Sequence, residues 1–223
     1  MKTEIAIILF AHSLSAFAQG TFQNLDFEAA NHSGYSPPAL VPTTSAFPGW
    51  QALIGTTPTS TVGYNSETLS IASISINDEM LIQGNYTAFL QSAIVGSQST
   101  SVTLSQTGIV PNGTESIELD ANEPNGGAFA VTLGGDNLTM FPLQTFSGYT
   151  LYGGNVSAWA GQDVALSITQ LPPSSSSGLF TPSLLELDNI TFSTTAVPEP
   201  NSILLTGIGG LIFAWYRLRL RCR

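Results

Sequence analysis

Between residues 101 and 193, apolar and polar side chains alternate with a period of two in five runs: SVTLSQ (101–106), SIELDA (116–121), FAVTLGG (129–135), DVALSITQL (163–171) and LLELDNITFS (184–193). Successive side chains of a strand point to opposite faces, so this alternation predicts half-buried strands. In the fourth run Val164, Leu166 and Ile168 share one face, and Ala165, Ser167 and Thr169 share the other. Tetra- and pentapeptides rich in Gly and Asn separate the runs and predict turns: PNGT (111–114), EPNGG (123–127), GGDN (134–137) and YGGN (152–155). No window of 19–196 carries a helical period, and PPSSSSG (172–178) reads as a loop tip. Many short strands with Gly/Asn turns and no helices predict an all-β domain, a jelly-roll β-sandwich.

The two ends follow different patterns. Residues 1–18 read as a secretory signal peptide: Lys2 forms the basic start, Ile5–Leu14 the apolar stretch and AFA (16–18) the cleavage site. The far end holds an apolar run from Ile203 to Tyr216, followed by Arg217, Arg219, Arg221 and Arg223. Fourteen helical residues span about 21 Å, short of the ~30 Å hydrocarbon core. Snorkelling arginines extend the reach and hold that end on the cytoplasmic side. The chain thus divides into 1–18 (signal peptide), 19–193 (sandwich), 194–202 (linker), 203–216 (transmembrane helix) and 217–223 (basic cytoplasmic tail).

Charge changes the picture more than composition does. Lys2 is the only basic residue before Arg217, so residues 19–196 carry thirteen carboxylates and no Lys or Arg. Such a surface repels nucleic acid and offers no Schiff-base lysine and no arginine clamp. The body also lacks cysteine, which excludes a thiol nucleophile, a Cys-ligated zinc and a disulfide. Its one histidine, His32, lies in NHSGYSPP and reads as a solvated loop residue rather than a catalytic base. Acids without basic partners are screened by salt or by bound cations, and calcium is the natural hard cation for carboxylate oxygens.

Val197-Pro198-Glu199-Pro200, a short apolar segment and an arginine-rich finish together resemble the PEP-CTERM sorting signal of Gram-negative bacteria. The resemblance implies processing by exosortase, with Val197, Pro198, Glu199 and Pro200 as the sorting motif. The apolar segment and arginines would hold the precursor in the inner membrane until the product reaches the cell surface or extracellular matrix. A second resemblance rests on LDFEAA (25–30), FPGW (47–50), VSAWAGQDVALSIT (156–169) and LELDNITF (185–192). These stretches resemble the galactose-binding-like jelly rolls of carbohydrate-binding modules. That likeness implies first and last strands adjacent in one sheet and a structural calcium held by Glu28 and Asp188, with Asp26 a lesser candidate.

Sugar rings stack on exposed aromatic side chains. Trp50 and Trp159, the latter in a strand-like run, read as core residues, whereas Tyr149 and Tyr152 lie beside a predicted turn and are the candidates for carbohydrate contact. The expected function is a non-enzymatic, exported protein that contacts exopolysaccharide. The alternative is a secreted glycan hydrolase or lyase, which requires two carboxylates converging on a cleft.

Overall fold

The computed structural model describes residues 21–66, 71–95, 97–125, 127–174 and 180–197. The signal peptide, the Pro198–Pro200 part of the sorting motif, the apolar segment and the basic tail lie outside the described residues. Among the described residues, no helix is long and apolar enough to cross a membrane.

The first strands are β1 (Ala39–Pro42), β2 (Gln51–Ile54), β3 (Thr57–Thr59), β4 (Thr61–Tyr64) and β5 (Ser73–Asn77). Next come β6 (Thr87–Val95), β7 (Gln98–Thr100), β8 (Val102–Ile109), β9 (Ser116–Asn122) and β10 (Ala128–Leu133). The chain closes with β11 (Asp136–Asn137), β12 (Phe141–Thr145), β13 (Thr150–Asn155), β14 (Asp163–Leu171) and β15 (Phe180–Ser193). They form two sheets. The larger runs β1-β4-β5-β6-β15-β9-β13-β12, with β7 added beside β6, and the smaller runs β11-β10-β14-β8-β2-β3. Pairing is antiparallel except between β4 and β5. The body is a jelly-roll β-sandwich, as the alternation predicts.

The inner faces meet in one apolar core. Leu104 of β8, Val131 and Leu133 of β10, and Leu166 and Ile168 of β14 come from the small sheet. Leu90 of β6, Ile117 and Leu119 of β9, and Leu185 and Leu187 of β15 come from the large one. Opposite the core, the small sheet carries polar cross-strand pairs: the Thr103 and Thr169 hydroxyls lie 2.9 Å apart, and those of Ser105 and Ser167 2.8 Å apart. Among the described residues, the core cluster is drawn from residues between Phe27 and Ile190.

β14 coincides with its predicted run, and β15 is bulged at Asp188-Asn189, where its apolar phase changes. Its register against β9 shifts between Asp188 and Thr191, and Asn189 has φ +47°, the geometry of a bulge. Three expectations fail. YGGN (152–155) is not a turn but part of β13. An ideal Cβ on Gly153 would stand 2.7 Å from Leu143 Cδ1 and 2.9 Å from Val197 Cγ2, so these glycines mark a close approach within a strand. Trp159, in a strand-like run, sits instead at the end of a 3-10 turn, Ser157–Trp159. There the Asn155 side chain accepts hydrogen bonds from the Ser157 amide (3.0 Å) and hydroxyl (2.8 Å) and turns the chain out of β13. Finally, residues 25–30 form turns rather than a first strand beside the last. The Ile190 amide donating to Leu25 O at 2.9 Å ties this segment to β15.

The described part of the 194–202 linker is anchored at two points, although Thr194, Thr195 and Ala196 are exposed. The Ser116 hydroxyl donates to Thr195 O at 2.7 Å, and Val197 is 8% exposed against the β12–β13 hairpin.

Candidate functional site

At one end of the large sheet, the 24–38 loop meets the 78–86 loop, and the two nominated calcium ligands line the same cavity of about 230 Å³. Asp26, Gln83, Gly84 and Asn189 complete its wall. The bulge in β15 places Asp188 there, buried at 1% exposure. Its Oδ2 accepts from the Gln83 amide (3.2 Å) and the Thr87 hydroxyl (2.9 Å), and its Oδ1 from the Asn189 amide (2.7 Å). Burial pushes the Asp188 carboxyl up to about 6 against the pull of these donors, and the nearby charge of Glu28 adds to the rise. Asp120 of β9, itself buried, stands opposite Asp188 in the register. Its Oδ2 accepts from the side-chain amides of Gln83 (2.6 Å) and Asn189 (3.1 Å).

Glu28 reaches the cavity from the 24–38 loop. Its Oε1 accepts from the backbone amides of Asn85 (2.7 Å) and Tyr86 (3.0 Å), and its Oε2 from the Asn85 side chain (2.7 Å). Burial pushes this carboxyl up, but the Asn85 side chain and the two backbone amides outweigh it and leave it below its ordinary value. Gly84 makes that grip possible. It has φ +58°, and a Cβ there would run into the Glu28 carboxylate. Among the described residues, no three His, Cys, Asp or Glu side chains gather as a ready metal cage. A cation here would draw on Glu28 and Asp188, with Asp26 and backbone or amide oxygens in the remaining places.

His32 is not the solvated loop residue expected. It stacks on Tyr64 (ring centroids 3.9 Å, 18°), and its Nε2 lies 2.8 Å from the Tyr86 hydroxyl. The Tyr64 hydroxyl donates to Asp78 Oδ2 at 2.7 Å, which pushes the phenol up to about 12. That same hydrogen bond, with help from the Asn65 amide, outweighs burial and lowers the Asp78 carboxyl. The cluster clamps the 24–38 loop to the ends of β4 and β6, with His32 held by the Tyr64 and Tyr86 rings.

The two tyrosines nominated for carbohydrate contact are placed apart. Tyr149 lies on the β12–β13 hairpin loop and stacks on Phe146 (4.8 Å, 21°), which is 40% exposed. Tyr152 points between the sheets, its ring edge-on to Phe129 at 5.2 Å and 85°. Phe146 went unread because the turn was placed at 152–155 rather than at 146–149; FSGY, with Ser and Gly inside two rings, is the signal that would have found it. Of the two tryptophans read as core, only Trp50 is a core residue. Trp50 is 5% exposed and donates to Asn24 O at 2.9 Å, and Trp159 packs half-buried against the core.

No protein-family model matches the sequence, and neither does any curated protein. Among solved structures, the chain is similar to TmCBM61, determined in complex with β-1,4-galactotriose: 11% identity, TM-score 0.46, covering 79% of this chain and 99% of that one. It is also similar to a structure of carbohydrate-binding modules of the β-sandwich superfamily, at 11% identity and TM-score 0.39 over 79% of this chain and 63% of that one. A third is a Bacillus subtilis arabinoxylan arabinofuranohydrolase of glycoside hydrolase family 43, in complex with cellotetraose. That match has 15% identity and TM-score 0.36, over 74% of this chain and 30% of that one.

Proposed function

We propose that the chain is an exported, non-enzymatic glycan-binding module, sorted through its C-terminal tail and contacting exopolysaccharide at the β12–β13 hairpin. The observation that carries this reading is the Phe146–Tyr149 pair, with Phe146 exposed and Tyr149 half-buried. Two stacked rings brace each other at the tip of a hairpin, among the exposed polar side chains of Gln144, Thr145 and Ser147. A sugar ring needs this combination: an aromatic face for its C–H groups and polar neighbours for its hydroxyls. The test is a glycan array and exopolysaccharide pull-down with fragment 19–197, wild type and Phe146→Ala/Tyr149→Ala. Retention lost in the double variant, with an unchanged melting temperature, supports the site. Equal retention by both removes it.

Sorting by exosortase follows from the motif Val197-Pro198-Glu199-Pro200, the apolar segment and the arginine tail. Replacing Pro198-Glu199-Pro200 by alanines is expected to leave full-length precursor in the inner membrane; normal maturation and surface delivery would end this part of the proposal. Calcium at Glu28 and Asp188 is the third element. Its support is that both carboxylates line one cavity in a body without a single cationic side chain.

One observation favours the hydrolase reading: Glu28 and Asp188 share a cavity and are pushed in opposite directions, as an acid/base pair would be. Against it, the oxygens of both are taken up by hydrogen-bond donors, and no aromatic ring lines the cavity. Release of reducing sugar by wild type, abolished in Glu28→Gln, would reverse the choice.

A further inference from the structure

A second cavity opens at the edge of the sandwich where β10 of the small sheet faces β13 of the large one. It measures about 260 Å³, and Phe129, Tyr152, Leu138 and Met140 form its apolar walls. The segment after β11, which carries Leu138 and Met140, covers it on the way to β12. One charged side chain enters this space, that of Glu123. Its Oε1 is buried with no hydrogen-bond partner, although residues 19–196 supply no Lys or Arg that could ever meet it. Glu123 itself is half-buried, but a carboxylate oxygen shut away from water without a partner is costly, and proteins keep such groups where a partner arrives from outside.

We propose that this crevice binds a small organic ammonium ion with a compact apolar body. The ammonium donates to Glu123 while the body fills the space between the rings of Phe129 and Tyr152 and the side chains of Leu138 and Met140. Charge complementarity selects the cation, because a neutral ligand would leave the carboxylate unpaired. The aromatic walls select the same ligand through their negative ring faces. The volume limits the occupant to about one six-membered ring with its substituents. This site does not use the Phe146–Tyr149 platform and stands or falls separately from it.

The experiment is an NMR titration of fragment 19–197 with cyclohexylammonium chloride and, in parallel, with the neutral isostere cyclohexanol. Cyclohexylammonium is expected to bind in the low millimolar range, shifting the ring resonances of Phe129 and Tyr152. Cyclohexanol should bind about tenfold more weakly, and Glu123→Gln should weaken the cation about tenfold while leaving cyclohexanol unchanged. Equal affinity of the two probes, no shifts at Phe129 and Tyr152 at about 50 mM, or unchanged cation binding in Glu123→Gln would overturn the proposal. The comparison of probes on the wild-type protein decides the matter even if the variant is unstable.

Discussion

Asp188 leaves water on folding in a body that offers no basic side chain to receive it. Three donors hold its oxygens, and burial still raises the carboxyl to about 6 from its ordinary 3.8. A raised acid holds its proton more tightly in the folded state. Its contribution is therefore fully favourable below about pH 4 and is lost as pH rises to about 6, a change on the order of 2–3 kcal/mol. Urea melts between pH 4 and 7, with a chelator present, are expected to show this fall in the wild type and its loss in Asp188→Asn. Parallel stability curves for the two would refute the assignment. The sequence singled out Asp188 among thirteen carboxylates only through a family resemblance. Its burial, its partners and its neighbour Asp120 come from strand register, which no local pattern states.

At the scale of elements, β14 was legible by its alternation, whereas β5 and β6, with continuous buried runs, were not. β14 alternates and carries its predicted bounds. β6 is buried from Thr87 through Ala93 and carries no alternation to read. The same reason hides β5, where Ile74 through Asn77 are all buried. The candidate site suffered similarly: Glu28 and Asp188 were legible as a pair, while His32 was misjudged because the rings that hold it, Tyr64 and Tyr86, are more than thirty residues away. Leu185 of β15 is fully buried between the sheets, so Leu185→Ala is expected to cost about 2–4 kcal/mol in urea unfolding. Leu40→Ala, in edge strand β1 and 69% exposed, should cost under about 0.5 kcal/mol. Similar costs for the two would contradict the assigned core.

For the molecule as a whole, repulsion among the thirteen acids is unopposed by any cation of the body. The melting temperature is expected to rise with sodium chloride through screening, and to rise further in calcium at matched ionic strength if Glu28 and Asp188 hold the ion. Differential scanning calorimetry separates the two effects: a rise with sodium chloride alone leaves only screening.

The last strand is also the hub of the large sheet. β15 lies between β6 and β9, and only four residues separate the end of its fourteen from Pro198. Without it the sheet falls into two halves, so under the proposed export the sandwich would not close while the chain is still threading through a secretion channel. Folding would then wait until nearly the whole polypeptide has crossed. By then the apolar run that begins at Ile203 is next in line to enter the channel, so the finished sandwich and the arrested tail would arise in one event, with Val197 as the seam between them.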